Sequence, residues 1–481
     1  MSDLYSDAFV RRRLAEYVGE ESNWQPTAAF VSQSDGCAYQ RHNLKPARHL
    51  RWFLDRDLDI ARSLADSDSL LLHLDVEYVN FDSPAEALIN PQRAFELQEP
   101  VVKAIQSLLD SWGIKPLHIL TGQGHHFVWR ISRQSVTAAK ITALSPAPEL
   151  LDDCVARAPT DDPVFSRDNQ ASFSALSLLM EYIAHRARNM ASVLAALPVE
   201  ITAVHVGPWL TRQRELVSID ISEYGDPLHT RMVRLPFTRY LKPWATGMTR
   251  LPGVGEALKP LTTIPVAGME LADALVLRHS EEAVISLARE VSTAIPYQEE
   301  GTARLLGDYL NSPLRSFHGD FYSCQHDPRE SWPWTYGRTP VEALPNCVRH
   351  MALFPNDWLL KPAGIQLVTR CLLAEGWHAR HIAGFIRSKF EDPAYHWGVD
   401  WRDYDPAIRA DFYVRLFAGQ YATGVDSLVD LNCVSTQAKG FCFHLGDGAC
   451  GLESVRDRLR TRAFLQDSSC LGRGLDHFTT A

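Results

Sequence analysis

The sequence predicts an α+β fold: an antiparallel sheet with helical insertions, followed by a mainly helical, cysteine-bearing region. Three observations predict it. Residues 69–81 and 215–224 alternate side chains with the two-residue period of a half-buried strand. Residues 97–112 set apolar side chains at 101, 102, 105, 108, 109 and 112, the stripe of an amphipathic helix. Beyond about residue 301 helical periods such as GIQLVTRCLLAE and HIAGFIRSKF dominate, and most of the nine cysteines lie there.

The elements follow in order. Residues 45–66 (KPARHLRWFLDRDLDIARSLAD) read as a helix with apolar positions Leu50, Phe53, Leu54, Leu58 and Ile60, and the strand 69–81 follows it. The helix 97–112 is closed by Gly113. PLHIL and HHFVWRI flank the turn TGQG and predict a hairpin. Proline-rich, acidic residues 144–170 read as an irregular insertion, and a helix is expected over about 172–197. The strand 215–224 leads into RMVRLPFTRYLKP, and 243–300, with scattered proline and glycine, reads as a connection.

Composition bounds the function. At 481 residues the chain exceeds one ordinary core, so two or three domains are expected. No apolar run is long enough to cross a bilayer and MSDLYSDAFVRRRLAEY has no signal pattern, so the expectation is a cytoplasmic protein with no membrane partner. The formal net charge of −10 argues against a basic coat that grips nucleic acid non-specifically. It leaves room for local basic clusters, of which Arg41, Lys45, Arg48 and Arg51 form one and Arg231, Arg234, Arg239 and Lys242 another; a solvated face is the plain alternative for each. Nine cysteines, an odd number, suit metal or redox chemistry in a reducing compartment better than a disulfide framework.

The stretch LLHLDVEYVNF carries the chemistry. On a strand, Leu70, Leu72, Leu74, Val76 and Tyr78 make one apolar face, while Leu71, His73, Asp75 and Glu77 make the other. Like charges held side by side favour a divalent cation, and hard cations such as Mg²⁺ and Mn²⁺ take oxygen ligands. A solvent-facing strand end is the alternative. In TGQGHHFVW, Gly122 and Gly124 permit a tight turn or close approach. His125, Phe127 and Trp129 share one face and His126, Val128 and Arg130 the other, so one histidine packs among aromatics and the other is free to reach a site. In LVSIDISEY, Asp220 opposes Ile219 and Ile221, giving a third strand acid ahead of Arg234 and Lys242.

Taken in order, LDVE, TGQGHH, SID and VRLP with a downstream lysine resemble the motifs of archaeo-eukaryotic primases and primase-polymerases. The resemblance implies an RRM-like antiparallel sheet in a catalytic domain over 1–255, with a helical insertion at about 140–200. It implies Asp75, Glu77 and Asp220 as the ligands of two catalytic Mg²⁺ or Mn²⁺ ions and His126 as the histidine that contacts nucleotide phosphates. Gly122 and Gly124 would shape the nucleotide site, and Arg234 and Lys242 would contact phosphate or template. The implied reaction is template-directed nucleotidyl transfer that makes primers on single-stranded DNA from nucleoside triphosphates. A helicase or other replication protein is a further implied partner. Glu77 stands where aspartate is commoner and Gln123 where arginine is frequent.

The later segments LPNCVRHMAL, GIQLVTRCLLAEGW, HIAGFIRSKF and YVRLFAGQYATG resemble the iron–sulfur domain of the primase large subunit. This implies a cysteine-cluster domain over 336–465, reached through a connecting region 256–335 and followed by a tail 466–481. Cys347, Cys433, Cys442 and Cys450 would hold a [4Fe–4S] cluster; from spacing alone, buried or incidental cysteines are the plain alternative, and Zn²⁺ stays open with His350 or His444 as substitute ligands. Cys371 reads as core, while Cys37, Cys154, Cys324 and Cys470 show no partner. Two other readings stay open. One is a replication-initiator endonuclease on an RRM-like fold, disfavoured because the adjacent His125 and His126 point to opposite faces. The other is a non-catalytic iron–sulfur protein that binds single-stranded DNA.

Overall fold

The computed structural model describes residues 4–19, 25–33, 44–145, 150–158, 160, 162–202, 215–355, 361–395, 397, 405–444 and 450–465. The chain divides into two compact units, the first built from Met1–Ile201 and Glu215–Asp308 and the second holding Tyr309 onward. Residues 256–308, expected as part of a connection, therefore belong to the first unit.

Its strands are β1 (Phe30–Gln33), β2 (Lys45–Pro46), β3 (Ile60–Ser63), β4 (Ser69–Asn80), β5 (Leu117–Leu120), β6 (Gly124–Ser132), β7 (Val199–Ile201), β8 (Glu215–Asp220), β9 (Met232–Arg234) and β10 (Ile264–Pro265). They form a six-stranded sheet in the order β10-β5-β6-β4-β8-β7 and a four-stranded sheet in the order β2-β1-β3-β9. Every pairing is antiparallel except β7 with β8. The architecture is α+β. With β7 and short helices set aside, β4, the helix Pro91–Ser111, β5, β6, the helix Arg167–Ala191 and β8 follow as strand–helix–strand–strand–helix–strand, and their strands lie side by side as β5-β6-β4-β8.

β4 is the axis of the larger sheet because its alternate residues Leu70, Leu72, Leu74, Val76 and Tyr78 are almost completely buried. The helix Pro91–Ser111 lies over this side: Ala94 packs near Tyr78, and Phe95 meets the His125 ring edge-on at 5.3 Å. Asn90 precedes Pro91 at the start of this helix, a position where a missing N–H costs nothing. On the opposite side of β4, Leu71 and His73 are buried, whereas Asp75 and Glu77 are partly exposed. One side of the sheet is thus core throughout, and the other becomes polar toward its end.

The helix expected over 45–66 is absent. Residues 45–46 form β2, a short helix spans Leu50–Leu54, and Ile60–Ser63 form β3. The apolar spacing Leu50, Phe53, Leu54 fits that one turn of helix; Asp57, with φ of 55°, then reverses the chain, and β3 gains pairings to β1 and β9. The strand 215–224 stops at Asp220 and continues as a 3₁₀ turn, Ser222–Gly225. The connection 243–300 supplies β10, paired to β5, and the helices Leu271–Leu277 and Glu281–Glu290.

Helices make up the second unit, with no strand among its described residues. The helix Pro406–Ala422 packs against Pro313–Ser323, Pro362–Ala374 and Ala379–Phe390. Arg370 is the polar anchor of this core: its Nε and Nη2 donate to Asp426 at 2.8 and 2.7 Å, and its Nη1 lies 3.0 Å from Asp430. No helix among the described residues is long and apolar enough to cross a membrane. Cys37, Cys470 and the tail 466–481 lie outside the described residues.

Removing one partner of a buried ion pair strands the other charge in low dielectric, at a cost of about 3–5 kcal/mol. Arg370→Ala is therefore expected to lower the stability of the second unit by about that amount, read as a shifted denaturant midpoint for that unit's unfolding transition.

Candidate functional site

Register alone gathers the acids. Asp75 lies directly opposite Asp220 on β8 and opposite His126 on β6, while Glu77 lies opposite Ser218 and Gly124. Directly opposed residues of an antiparallel pair share a face. Asp75, Glu77, Asp220, His126 and His73 therefore occupy one face of the sheet, the face opposite the Phe95 helix. His125 points the other way, packed between Phe95 and His118, with Nδ1 2.9 Å from His118 Nε2.

Each carboxylate is balanced differently. Glu77 Oε1 accepts from Lys242 Nζ at 3.1 Å. Asp75 Oδ2 lies 3.5 Å from His126 Nε2. Burial alone would raise the Asp75 pKa, but the charges of His126, His73 and Lys242 outweigh it and hold this carboxyl below its ordinary range. Asp220 is balanced least: the Arg231 charge favours its ionised form but is outweighed. Burial, with the Glu223 and Asp75 carboxylates beside it, pushes its pKa up to about 7, against a bond accepted from the Ser222 N–H at 2.8 Å. Three oxygen-donor groups on one face, one of them able to hold a proton up to about pH 7, suit a divalent cation that would replace that proton. Among the described residues, however, no three His, Cys, Asp or Glu side chains stand close enough together to hold a metal ion as they are placed here.

The remaining expected residues surround this face. Lys242 opens the short helix Lys242–Ala245; burial would lower its pKa, yet Glu77 and Tyr240 raise it, so it stays a cation. Arg234, on β9 of the smaller sheet, ion-pairs with the buried Asp59 and lies over the Tyr240 ring with its guanidinium carbon 4.5 Å from the centroid. It is within electrostatic range of Asp75, but its charge is committed to Asp59. Both hairpin glycines are demanded by close approach: a Cβ on Gly124 would meet Val76 O at 1.8 Å, and one on Gly122 would meet the Tyr240 ring at 2.3 Å. Tyr240 also donates to Gln123 Oε1 at 2.9 Å, tying the turn to the chain just before Lys242.

In the second unit, Cys347 lies in the first turn of the helix Asn346–Leu353 and Cys433 opens the helix Cys433–Ala438. Burial, then the Cys450 thiol and also Cys442, pushes the Cys347 thiol up to about 12. Burial and the same two neighbours raise Cys433, which also hydrogen-bonds Cys450. Cys347 and Cys433 are thus each within electrostatic reach of Cys442 and Cys450, though not at metal-holding distance. Cys371 is core, and Cys324, expected to lack a partner, has its sulfur 3.5 Å from His381 Nε2. His350 is stacked on Phe443 at 3.7 Å; His444 Nδ1 meets Asn346 at 2.6 Å while its Nε2 is buried without a partner.

Sequence reasoning assigned no role to His73 and did not single out Glu223, although His73 Nδ1 lies 2.8 Å from Glu223 Oε1 inside the acidic face. Parity placed His73 on that face, but a glutamate in a turn after a strand carries no pattern of its own. Compared with protein-family models, curated proteins and solved structures, the chain matches none.

The Asp220 proton gives a signed test. Below about pH 7 the folded carboxyl keeps its proton, so Mn²⁺ affinity is expected to strengthen as pH rises through about 7 and to lose that component of its pH dependence in Asp220→Asn; isothermal titration calorimetry measures both. The matching stability effect has the opposite sense. Unfolded aspartate ionises near pH ~3.9, so this group lowers folding stability as pH climbs from there to about 7.

Proposed function

We propose that the chain is a DNA primase or primase-polymerase: a nucleotidyltransferase that synthesises primers on single-stranded DNA from nucleoside triphosphates. The observation that carries this reading is the register that sets Asp75 opposite both Asp220 and His126, with Glu77 and its partner Lys242 on the same face. The β5-β6-β4-β8 order, with its strand–helix–strand–strand–helix–strand sequence, supports an RRM-like reading of the sheet.

Asp75, Glu77 and Asp220 would hold two divalent cations, whose chemistry is to ionise a 3′-hydroxyl nucleophile and stabilise the departing pyrophosphate. The chain's own residues do the rest. His126, reaching from β6 beside Asp75, contacts the incoming triphosphate. Lys242, released from Glu77 when that carboxylate takes a cation, supplies positive charge to the phosphates. Gly124 keeps β6 close enough to β4 for His126 and Asp75 to meet, and Gly122 lets the turn seat on Tyr240.

With unprimed single-stranded DNA, Mn²⁺ or Mg²⁺ and nucleoside triphosphates, wild-type protein should build primers. Asp75→Ala combined with Glu77→Ala should lower synthesis by at least about a thousandfold, since charge stabilisation of this kind is worth several kcal/mol. Undiminished synthesis by the double variant sinks the assignment.

For the second unit we propose a [4Fe–4S] cluster held by Cys347, Cys433, Cys442 and Cys450, with a role in binding template and initiating nucleotides. The reach of Cys442 and Cys450 to both Cys347 and Cys433 supports it, and the unpartnered His444 Nε2 keeps Zn²⁺ as the specific competitor. Anaerobically purified protein should contain iron and acid-labile sulfide and show visible absorbance that Cys347→Ser removes. Iron-free protein with stoichiometric zinc decides for the competitor.

A further inference from the structure

β8 leaves the sheet at Asp220, so β4 has no strand neighbour on that side at His73. The turn Ser222–Gly225 folds back to take its place. The Tyr224 hydroxyl accepts from the His73 N–H at 3.0 Å and donates to the His73 carbonyl at 3.3 Å, satisfying both groups that a longer β8 would have paired. From the same turn, Glu223 Oε1 meets His73 Nδ1 at 2.8 Å. A carboxylate only accepts, so Nδ1 carries the proton and the ring is fixed in one orientation.

That orientation directs the ring toward the candidate site. The His73 and His126 rings meet edge to face at 4.7 Å, as diagonal neighbours on one face of the β4–β6 pair. His73 Nε2 and His126 Nδ1 are both buried without a hydrogen-bond partner. His73 is 5% exposed and His126 9%. If the pair only closed a sheet edge, the Tyr224 hydroxyl would suffice for the backbone and an apolar side chain would fill the space. Instead a histidine is oriented by an acid and set against the histidine read as contacting phosphate.

We propose that His73, oriented by Glu223, is a positioning residue that fixes the His126 ring for the triphosphate of an incoming nucleotide. This rests on the nucleotidyltransferase reading of the same face. Glu223 acts through His73, and His73 through His126; neither touches the reacting atoms. The Tyr224 hydroxyl serves the backbone alone.

The test compares wild type, His73→Phe and Glu223→Gln in steady-state primer extension, with nucleotide binding measured separately and thermal melting as the check on folding. His73→Phe keeps the ring contact but removes the orienting bond; Glu223→Gln can still accept at Oε1 and is the milder change. His73→Phe is expected to raise KM for nucleotide about tenfold or more, with kcat changed less than about threefold, and Glu223→Gln to give a smaller rise in the same direction. Imidazole ¹⁵N shifts of His126 should move in His73→Phe in the absence of nucleotide. Should His73→Phe not fold, Glu223→Leu, which removes the acceptor for His73 Nδ1, decides by the same split. Unmoved KM and unmoved His126 shifts in folded variants overturn the positioning role while leaving the function standing. Wild-type protein that neither binds nor incorporates nucleotide removes the function and this role with it.

Discussion

The structure turns on a repulsion problem in the middle of a sheet. β4 carries Asp75 and Glu77 two residues apart, and the antiparallel register sets a third carboxylate, Asp220, directly across from Asp75. In a low-dielectric setting three such charges cannot all stand unanswered. Each is answered differently: Glu77 by Lys242, from the chain beyond β9, Asp75 by His126 across β6, and Asp220 by holding its proton up to about pH 7. The far side of β4 makes this tolerable. Leu70, Leu72, Leu74, Val76 and Tyr78 are buried under helices, and their burial anchors a strand whose other face is electrostatically costly.

The supporting structure follows from that arrangement. For His126 to reach Asp75, β6 must lie close against the end of β4, and only glycine fits at position 124, where a Cβ would strike the Val76 carbonyl. The TGQG turn must then be held, and Tyr240 does so by packing on Gly122 and bonding Gln123, two residues before the lysine that answers Glu77. One short segment thus fixes the hairpin and delivers the cation. Arg234, in the same segment, is held by Asp59 beside β3 and couples the smaller sheet to this region.

What the sequence made legible was what period and parity encode. The alternation in 69–81 and 215–224 defined the faces of β4 and β8, and the two-residue parity of HHFVW separated the packed His125 from the site-facing His126. Where side-chain spacing fits two structures, it misled: Leu50, Phe53, Leu54, Leu58 and Ile60 satisfy a helix until Asp57 takes a left-handed conformation and Ile60 onward finds strand partners. Pairings such as β10 with β5 depend on residues far apart in sequence, so a two-residue strand among prolines reads as linker. Glu223 was invisible for a related reason. Its role comes from a turn folding back over a strand edge, and no local pattern records which edge is open.

The charge balance also constrains how the proposed chemistry works. A chain with a net charge of −10 and an acidic site face gives a triphosphate or a DNA strand no long-range attraction. The cations near the face are already paired, Lys242 with Glu77 and Arg234 with Asp59. Under the proposed function, nucleotide affinity would depend on cations taken up with the substrate, which would neutralise the carboxylates and free Lys242 for phosphate. By linkage the dependence is reciprocal: whatever divalent cation adds to nucleotide affinity, nucleotide adds equally to cation affinity. Under the proposed function, the acids that would repel a triphosphate on its own are the groups that would admit it together with divalent cations.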